Sequence, residues 1–517
     1  MWTAEPDTLP GVLASAARKF GHGIAIEDGP THLSFRELAN MVEQAAAAFI
    51  ELGVEPSDRV AIWAPNSAAW IISALGAQLA GATIVPVNTR LKGQEAGYIL
   101  RASGARVLCW VGDFLGTHYP TLLATESLPA LQHRVALDGP DWSDLLQSGS
   151  PNARLEAQRR ARQLRGTDLA DILFTSGTTG RPKGVMASHA QNVSVFAAWS
   201  EVVELTSRDR YLIVNPFFHA FGYKAGWLAC LLTGATIVPL AVFDAGEVMQ
   251  RIVSDRISVL PGPPTLFQSL LAHADCGRAD LSSLRLAITG AASVPVSLIE
   301  RMQQELNFKT VITGYGLTES TGTVSMCRPG EPAERIARSC GKPLPGVEVR
   351  VVDTNGHELP RGQEGEIWVR GYNVMRGYFN DPAATADAID ADGWLHTGDI
   401  GTMDAADYLR ITDRKKDMFI VGGFNCYPAE IENLMSAHAA IAQVAVIGVP
   451  DERLGEVAEA HVVLKSGQSL DSEQLIGWCR DHMANYKVPR RVYFVASLPM
   501  TASGKVQRFA LHADRQA

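Results

Sequence analysis

Short, unbroken apolar runs that stop at a glycine or proline turn recur through the first two thirds of the chain. "RVAIWAP" from Arg59, "ISVLPGPP" from Ile257, "LRLAITGAA" from Leu284 and "TVITGYG" from Thr310 share this form. Continuous apolarity over so few residues, bounded by turn residues, predicts strands buried on both faces. In α/β proteins the loops that follow the carboxyl ends of parallel strands bind ligands. The segments after these runs are therefore the candidate site.

A longer run, Ala68 to Val87, carries no charge over twenty residues, which is enough to span a bilayer. Its Ser73, Gln78, Gly76, Gly81 and Pro86, and its β-like ending "TIVPVN", argue instead for a buried helix stopped at Gly81 and then a buried strand. The same unit returns: "LGAQLAGATIVPVN" starts at Leu75 and "LACLLTGATIVPLA" at Leu228, with "GATIVP" identical at 81–86 and 234–239. Two copies predict two similar α/β subdomains. From about Cys340 the rhythm changes to short alternating segments, "CGKPLPGVEVRVVD", "EGEIWVRG" and "YLRITD", which predict a β-rich subdomain. The charged run "DRKKD", 413–417, precedes a small α+β pattern, and a domain boundary is placed near Lys416.

One strand leads into unusual chemistry. "DILFTSGTTGRPKG", 171–184, follows the apolar Ile172 to Phe174 with hydroxyls, glycines and cations. Glycines let backbone N–H groups approach a ligand, and successive N–H groups form a nest for anionic oxygens. Arg181-Pro182 separates Gly180 from Lys183, and no hydroxyl residue follows the lysine. The pattern is therefore a phosphate loop but not a Walker loop. "GYGLTES" sets Tyr315, Thr318 and Glu319 at a strand end, an aromatic suited to a base and a carboxylate suited to Mg²⁺. "GWLHTGD" ends in Asp399, placed for ribose hydroxyls. "ITDRKKD" supplies Arg414, and "LPMTASGKVQR" puts Lys505 on a glycine turn. Taken singly, each reads equally well as core tyrosine, solvated acid or surface cation.

Charge narrows the partners. With 46 basic and 55 acidic residues the net charge is −9, which argues against nucleic acid and leaves room for a small anion in a local basic pocket. Seven cysteines, none in a C-x-x-C pair, argue against a metal cluster or disulfide framework and fit a reducing cytoplasm. "MWTAEPDTLPG" has no basic leader region, so no secretory signal is expected.

In their order, "TSGTTGRPKG", "YGLTE", "HTGD", "DRKKD" and the terminal "SGK" resemble the adenylate-forming superfamily of acyl-CoA synthetases, peptide-synthetase adenylation domains and firefly luciferase. The resemblance covers essentially the whole chain. It implies an α/β fold with a large N-terminal domain, 1–415, of two similar α/β subdomains plus a β-rich one. A small mobile α+β C-terminal domain, 416–517, would carry the catalytic lysine. It implies that Thr175, Ser176, Gly177, Thr178, Thr179, Gly180 and Lys183 cradle the β- and γ-phosphates of ATP. Gly290, Ala291 and Ala292, with Tyr315 and Gly316, would hold adenine. Thr318 would take the α-phosphate, Glu319 Mg²⁺, and Asp399 and Arg414 the ribose. Lys416 would be the hinge and Lys505 the bridge between substrate carboxylate and α-phosphate. Gly422, Gly423 and Phe424 would line the pantetheine tunnel for coenzyme A.

The acyl pocket implied by the resemblance lies beside "NPFFHAFGYKAG", 215–226, with His219, Phe221, Gly222, Tyr223, Lys224, Trp227 and Gly314 expected to line it. His219 stands where the family often has an aromatic gate; a packed core histidine is the alternative. Lys224 would meet a polar group of the acid or extend to water. Small residues, Gly222, Gly226, Gly314 and Gly316 among them, are expected to leave width near the carboxylate. "NPFFHAFGYKAG", "VLPGPPT" and "ITDRKKDMFIVGGFNCYPAE" resemble the actinobacterial ligases that activate steroid C/D-ring propanoates in cholesterol catabolism. The expected activity is thus ATP-dependent acid–CoA ligation through an acyl-adenylate. A medium- or long-chain fatty acyl-CoA synthetase, an acyl-AMP ligase loading a carrier protein, a luciferase-like oxygenase and a non-catalytic binding protein compete with it. No integral membrane association is expected, and homodimerisation is left open.

Overall fold

The computed structural model describes residues 2–175, 182–290, 294–414, 417–421, 424–426, 428–451, 454–483, 485–500 and 506–513. Every apolar run singled out above forms a strand: Arg59–Trp63, Val259–Pro261, Leu286–Gly290 and Thr310–Tyr315. They divide between two sheets. Among the described residues a seven-stranded sheet runs, in order, Gly377–Tyr378, Lys183–Ser188, Leu169–Thr175, Thr83–Pro86, Arg59–Trp63, Val107–Trp110 and His133–Ala136. Its interior strands pair in parallel, while the hairpin Leu169–Thr175/Lys183–Ser188 is antiparallel. A nine-stranded sheet holds Leu286–Gly290 and Thr310–Tyr315 side by side and parallel, with Arg210–Ile213 and Thr236–Pro239 further along.

The uncharged run resolves into the helix Ala68–Leu79 and the strand Thr83–Pro86. Ser67 starts the helix by accepting a hydrogen bond from the Trp70 N–H at 3.2 Å. Gly81, at φ +91°, makes the turn that a side chain would oppose. The second copy gives the helix Ala229–Thr233, Gly234 at φ +82° and the strand Thr236–Pro239. The two copies sit in different sheets, so the twofold α/β arrangement of the N-terminal part follows from its sequence. Among the described residues no helix is long and apolar enough to cross a membrane.

The β-rich segment is an antiparallel sheet of Glu348–Val352, Glu364–Arg370, Leu395–Met403 and Leu409–Arg414. One apolar core runs from Trp2 to Leu409. Two separate cores begin beyond it and draw on Phe419 and later residues. They lie on a sheet of Phe419–Val421, Phe424–Cys426, Ile441–Asp451, Gly455–Leu464 and Arg491–Phe494, with the helices Pro428–Ser436, Ser472–His482 and Arg508–Ala513. The protein is therefore an α/β fold with a large N-terminal and a small C-terminal domain. All seven cysteines are unpaired thiols.

Candidate active site

The strand Leu169–Thr175 and its antiparallel partner Lys183–Ser188 hold the two ends of the glycine-hydroxyl segment, with Thr175 opposite Lys183. Ser176, Gly177, Thr178, Thr179 and Gly180 lie outside the described residues. The short strand Gly377–Tyr378 pairs with Lys183–Ser188, Tyr378 opposite Val185, and the Phe379 N–H donates to the Gly184 carbonyl at 2.7 Å. This pairing sets the Lys183 ammonium 4.9 Å from the centre of the Tyr378 ring, within cation–π range. The Tyr378 hydroxyl donates to Glu319 Oε1 at 3.0 Å. Burial, and then the charge of Glu319, push the Tyr378 phenol well above its ordinary range, so it stays protonated as a donor. Glu319 and Thr318 share the 3₁₀ turn Thr318–Ser320 at the end of Thr310–Tyr315, and the Glu319 carbonyl accepts from the Met375 N–H at 2.8 Å. One cation, one carboxylate and a half-buried phenol thus meet beside the strand that closes the glycine-hydroxyl segment.

A second cluster forms between the strands Thr310–Tyr315 and Leu395–Met403. Tyr315 donates its hydroxyl to Asp399 Oδ2 at 2.5 Å, and Asp399 is only 5% exposed. Asp399 stands opposite Arg414 in the register of Leu395–Met403 with Leu409–Arg414. Burial, followed by the charge of Asp399, raises the Tyr315 phenol well above its usual range. Gly290 lies opposite Gly314 on the adjacent strand; a Cβ on Gly290 would stand 3.1 Å from the Gly314 carbonyl oxygen. Ala291 and Ala292 lie outside the described residues. Tyr315, Asp399 and the Arg414 backbone, far apart in sequence, are thereby gathered at one edge.

The segment expected to face the acid divides in two. His219 is exposed, and its Nδ1 accepts from the Phe221 N–H at 3.2 Å, capping the short helix Ala220–Gly222. Its exposure corrects the alternative of a packed core histidine. Phe221 is half-buried. Tyr223, Lys224 and Trp227 are another matter, because the π-helix Tyr223–Leu228 turns all three into the core. Tyr223 stacks on Trp227 at 4.7 Å, and Trp70 meets Trp227 edge-on at 6.1 Å. Lys224 is 1% exposed, with its ammonium 3.0 Å from Asp171 Oδ1, and Asp171 has no exposed surface. Neither expectation for Lys224, a contact with the acid or escape to water, holds. The carboxylate on the neighbouring strand offsets the cost of desolvating the ammonium. Tyr223 and Trp227 likewise pack without accessible surface and do not line an open pocket.

The small residues also need correcting. A Cβ at Gly222 would run into the carbonyl oxygens of Asn215 and Pro216, and one at Gly316 into that of Gly322. A Cβ at Gly314 would stand 3.2 Å from the Ser325 carbonyl oxygen, and one at Gly226 3.2 Å from the Ile213 side chain. These glycines admit close backbone and side-chain packing rather than width for a ligand.

Lys416, Gly422, Gly423 and Lys505 lie outside the described residues; Phe424 opens the strand Phe424–Cys426. Sequence reasoning missed Tyr378 and Asp171. The signal for Asp171 was a carboxylate at the head of a buried strand, which demands a partner. For Tyr378 the only signal was an aromatic after Gly377 in "MRGYFNDP".

A family model described as AMP-binding enzyme matches residues 13–379, and one described as AMP-binding enzyme C-terminal domain matches 430–505. The chain belongs to the AMP-binding enzyme family. It is 49% identical over 526 residues to the 3-[(3aS,4S,7aS)-7a-methyl-1,5-dioxo-octahydro-1H-inden-4-yl]propanoyl:CoA ligase of Rhodococcus jostii (strain RHA1), covering 99% of this chain and 100% of the relative. A ligase of the same name from Mycobacterium tuberculosis (strain ATCC 25618 / H37Rv) is 50% identical over 505 residues, 97% of each chain. The crystal structure of an anthranilate CoA ligase in complex with anthranoyl-AMP superposes with a TM-score of 0.89 at 30% identity, over 98% of this chain and 97% of that one. The crystal structure of ATP-bound MatB from Rhodopseudomonas palustris superposes equally well, TM-score 0.89 at 28% identity, over 98% and 99%.

Proposed function

We infer that this chain is an ATP-dependent, AMP-forming acid–CoA ligase, and we propose that its acid is a propanoate borne on a compact bicyclic diketone. The observation that carries the reading is the near-full-length identity of about half to two ligases named for that acid. The assembled Lys183–Tyr378–Glu319 and Tyr315–Asp399 clusters support the nucleotide half of it.

The roles follow from charge. Carboxylate and ATP are both anions, so attack of a carboxylate oxygen on the α-phosphorus needs cations and in-line positioning. Lys183 faces the β- and γ-phosphates, with Thr175 and the 176–180 segment supplying hydroxyl and N–H donors. Tyr378 holds Glu319 in place. Among the described residues no cluster of three His, Cys, Asp or Glu side chains forms a metal cage. A single carboxylate beside phosphates suits Mg²⁺, which keeps waters and takes one or two protein oxygens with the rest from substrate. Glu319 would hold that ion, which would neutralise phosphate charge. Tyr315 offers its ring to adenine, and Asp399 shares its carboxylate between the Tyr315 hydroxyl and the ribose, with Arg414 alongside. The Pα–O bond to pyrophosphate breaks as the acyl-adenylate forms. The coenzyme A thiolate then attacks the acyl carbon and expels AMP. Lys505 serves the first step, and Lys416 is the hinge about which the C-terminal domain turns to bring Gly422, Gly423 and Phe424 to the thiol for the second.

Separating the half-reactions tests this. Lys505→Ala should lower acid-dependent pyrophosphate release by about a thousandfold, the size expected for losing one charge-stabilising group. Conversion of a synthetic acyl-adenylate to the thioester should persist in the same variant. Near-normal pyrophosphate release would refute the assignment.

A further inference from the structure

The buried pair Asp171–Lys224 takes no part in the chemistry above, yet it ties together the parts that do. Asp171 Oδ2 accepts from Asn192 Nδ2 at 2.6 Å and from the Tyr223 hydroxyl at 3.3 Å. The Tyr223 hydroxyl in turn accepts from Gln78 Nε2 at 3.2 Å. Asp171 lies four residues before Thr175 on the strand that enters the phosphate segment, about 13 Å at strand rise. Lys224 lies on the π-helix that directly continues Ala220–Gly222.

The fold itself does not call for a charge here. Lys224 stands ten residues before Gly234, and ten residues before Gly81 the first copy has Ile71, fully buried. Allowing for the extra residue of the wide turn, the matching place falls at Ile71 or Ile72, both buried and apolar. Replacing a buried ion pair by apolar groups is often neutral or stabilising, so stability alone does not explain the pair. Its setting suggests another role. A π-turn carries one residue more than an α-turn, which rotates the preceding segment by about 100° relative to the helix that follows. Such turns are frequent at functional sites. The Lys224 ammonium, drawn to Asp171, fastens this wide turn against the phosphate strand.

We propose that Asp171 and Lys224 are a specificity-determining positioning pair: their ion pair holds the wide turn Tyr223–Leu228, and so sets the acid-facing His219–Gly222 segment against the strand Leu169–Thr175 in the spacing a compact ring acid needs. This rests on the reading of that segment as acid-facing and of the substrate as a bicyclic propanoate.

The experiment uses the full-length protein and compares kcat/KM for the bicyclic diketone propanoate and for hexanoate. It is run on wild type, on the apolar double variant Asp171→Leu/Lys224→Met and on Tyr223→Phe, with Tm and the KM for ATP measured alongside. The double variant should keep the ATP KM within about twofold and lose about tenfold or more of the bicyclic-over-hexanoate ratio, mainly through a higher KM for the ring acid. Tyr223→Phe strands no charge and guards against a double variant that fails to fold; it should lower the ratio about threefold at unchanged Tm. A wild-type ratio in either variant at wild-type Tm, or equal losses for both acids, would overturn the proposal and leave the pair a packing element. Failure of wild type to use the bicyclic acid at all would remove the functional reading and this inference with it. Normal wild-type turnover with unmoved ratios would remove the inference alone.

Discussion

The two copies of "GATIVP" are the same six residues doing the same local job in different settings. In each, glycine at positive φ ends a helix and a four-residue buried strand follows, Thr83–Pro86 in one sheet and Thr236–Pro239 in the other. Each opening threonine reaches across to a neighbouring segment, Thr83 to the Leu169 carbonyl at 3.2 Å and Thr236 to the Ile24 carbonyl at 3.0 Å. The helices before the glycine differ. Ala68–Leu79 is a regular α-helix with Ile71 in its core, whereas the second copy enters through the π-helix Tyr223–Leu228 with Lys224 in its core. The difference teaches where the fold stops dictating sequence. The joint is repeated because it builds the sheet, and the turn before it diverges beside the His219–Gly222 segment.

The largest effect expected is at the buried pair. Asp171→Ala leaves the buried Lys224 amine without its carboxylate and should cost about 3–5 kcal/mol, whereas Ile71→Val in the first copy should cost about 0.5–1.5 kcal/mol. Urea unfolding of both variants measures the contrast, and equal losses would erase it. The glycines come next. Alanine at Gly81 would meet Pro56 at 3.3 Å, but at Gly234 it would press into the Phe20 ring at 2.6 Å. Both pay the left-handed backbone penalty of about 1–2 kcal/mol, and Gly234→Ala should lose about 1 kcal/mol or more beyond Gly81→Ala through overpacking. A smaller loss at Gly234 would mean that Phe20 gives way freely.

The third effect depends on pH and belongs to the second copy alone. The helix His189–Val202, which leans on it, begins with a buried imidazole whose Nδ1 accepts from the Leu9 N–H at 3.3 Å. Burial lowers the His189 pKa from 6.5 to about 3. The unfolded chain therefore takes up a proton that the folded chain refuses. Stability from this residue is complete above pH 6.5 and falls as pH drops toward 3, by about 2 kcal/mol at pH 5. His189→Gln should flatten the dependence of Tm on pH between 6.5 and 5. An unchanged slope would show that the imidazole is protonated in the fold.

The strands and the two α/β units were legible because unbroken apolar runs with glycine or proline stops have few other uses. The clustering of Lys183 with Glu319 and of Tyr315 with Asp399 was legible because carboxylates, hydroxyls and cations recur at strand ends. The pocket was read less well. Lys224 showed as a charge in an apolar segment, but its partner Asp171 looked like the polar border of an apolar run. Only the fold, which sets the π-helix Tyr223–Leu228 beside the strand Leu169–Thr175, brings them to 3.0 Å. Gly222 and Gly316 looked like room for a ligand and proved to be room for backbone. Tyr378 owes its place to a two-residue edge strand too short to leave a pattern.

The central claim is the acid. Thioester formation from ATP, coenzyme A and either the bicyclic diketone propanoate or palmitate tests it most directly. A site shaped for a compact ring acid would forfeit about 0.8 kcal/mol for each palmitate methylene it left unburied. The account therefore predicts a kcat/KM for the ring acid higher by about a hundredfold or more. Comparable or better turnover of palmitate would contradict it.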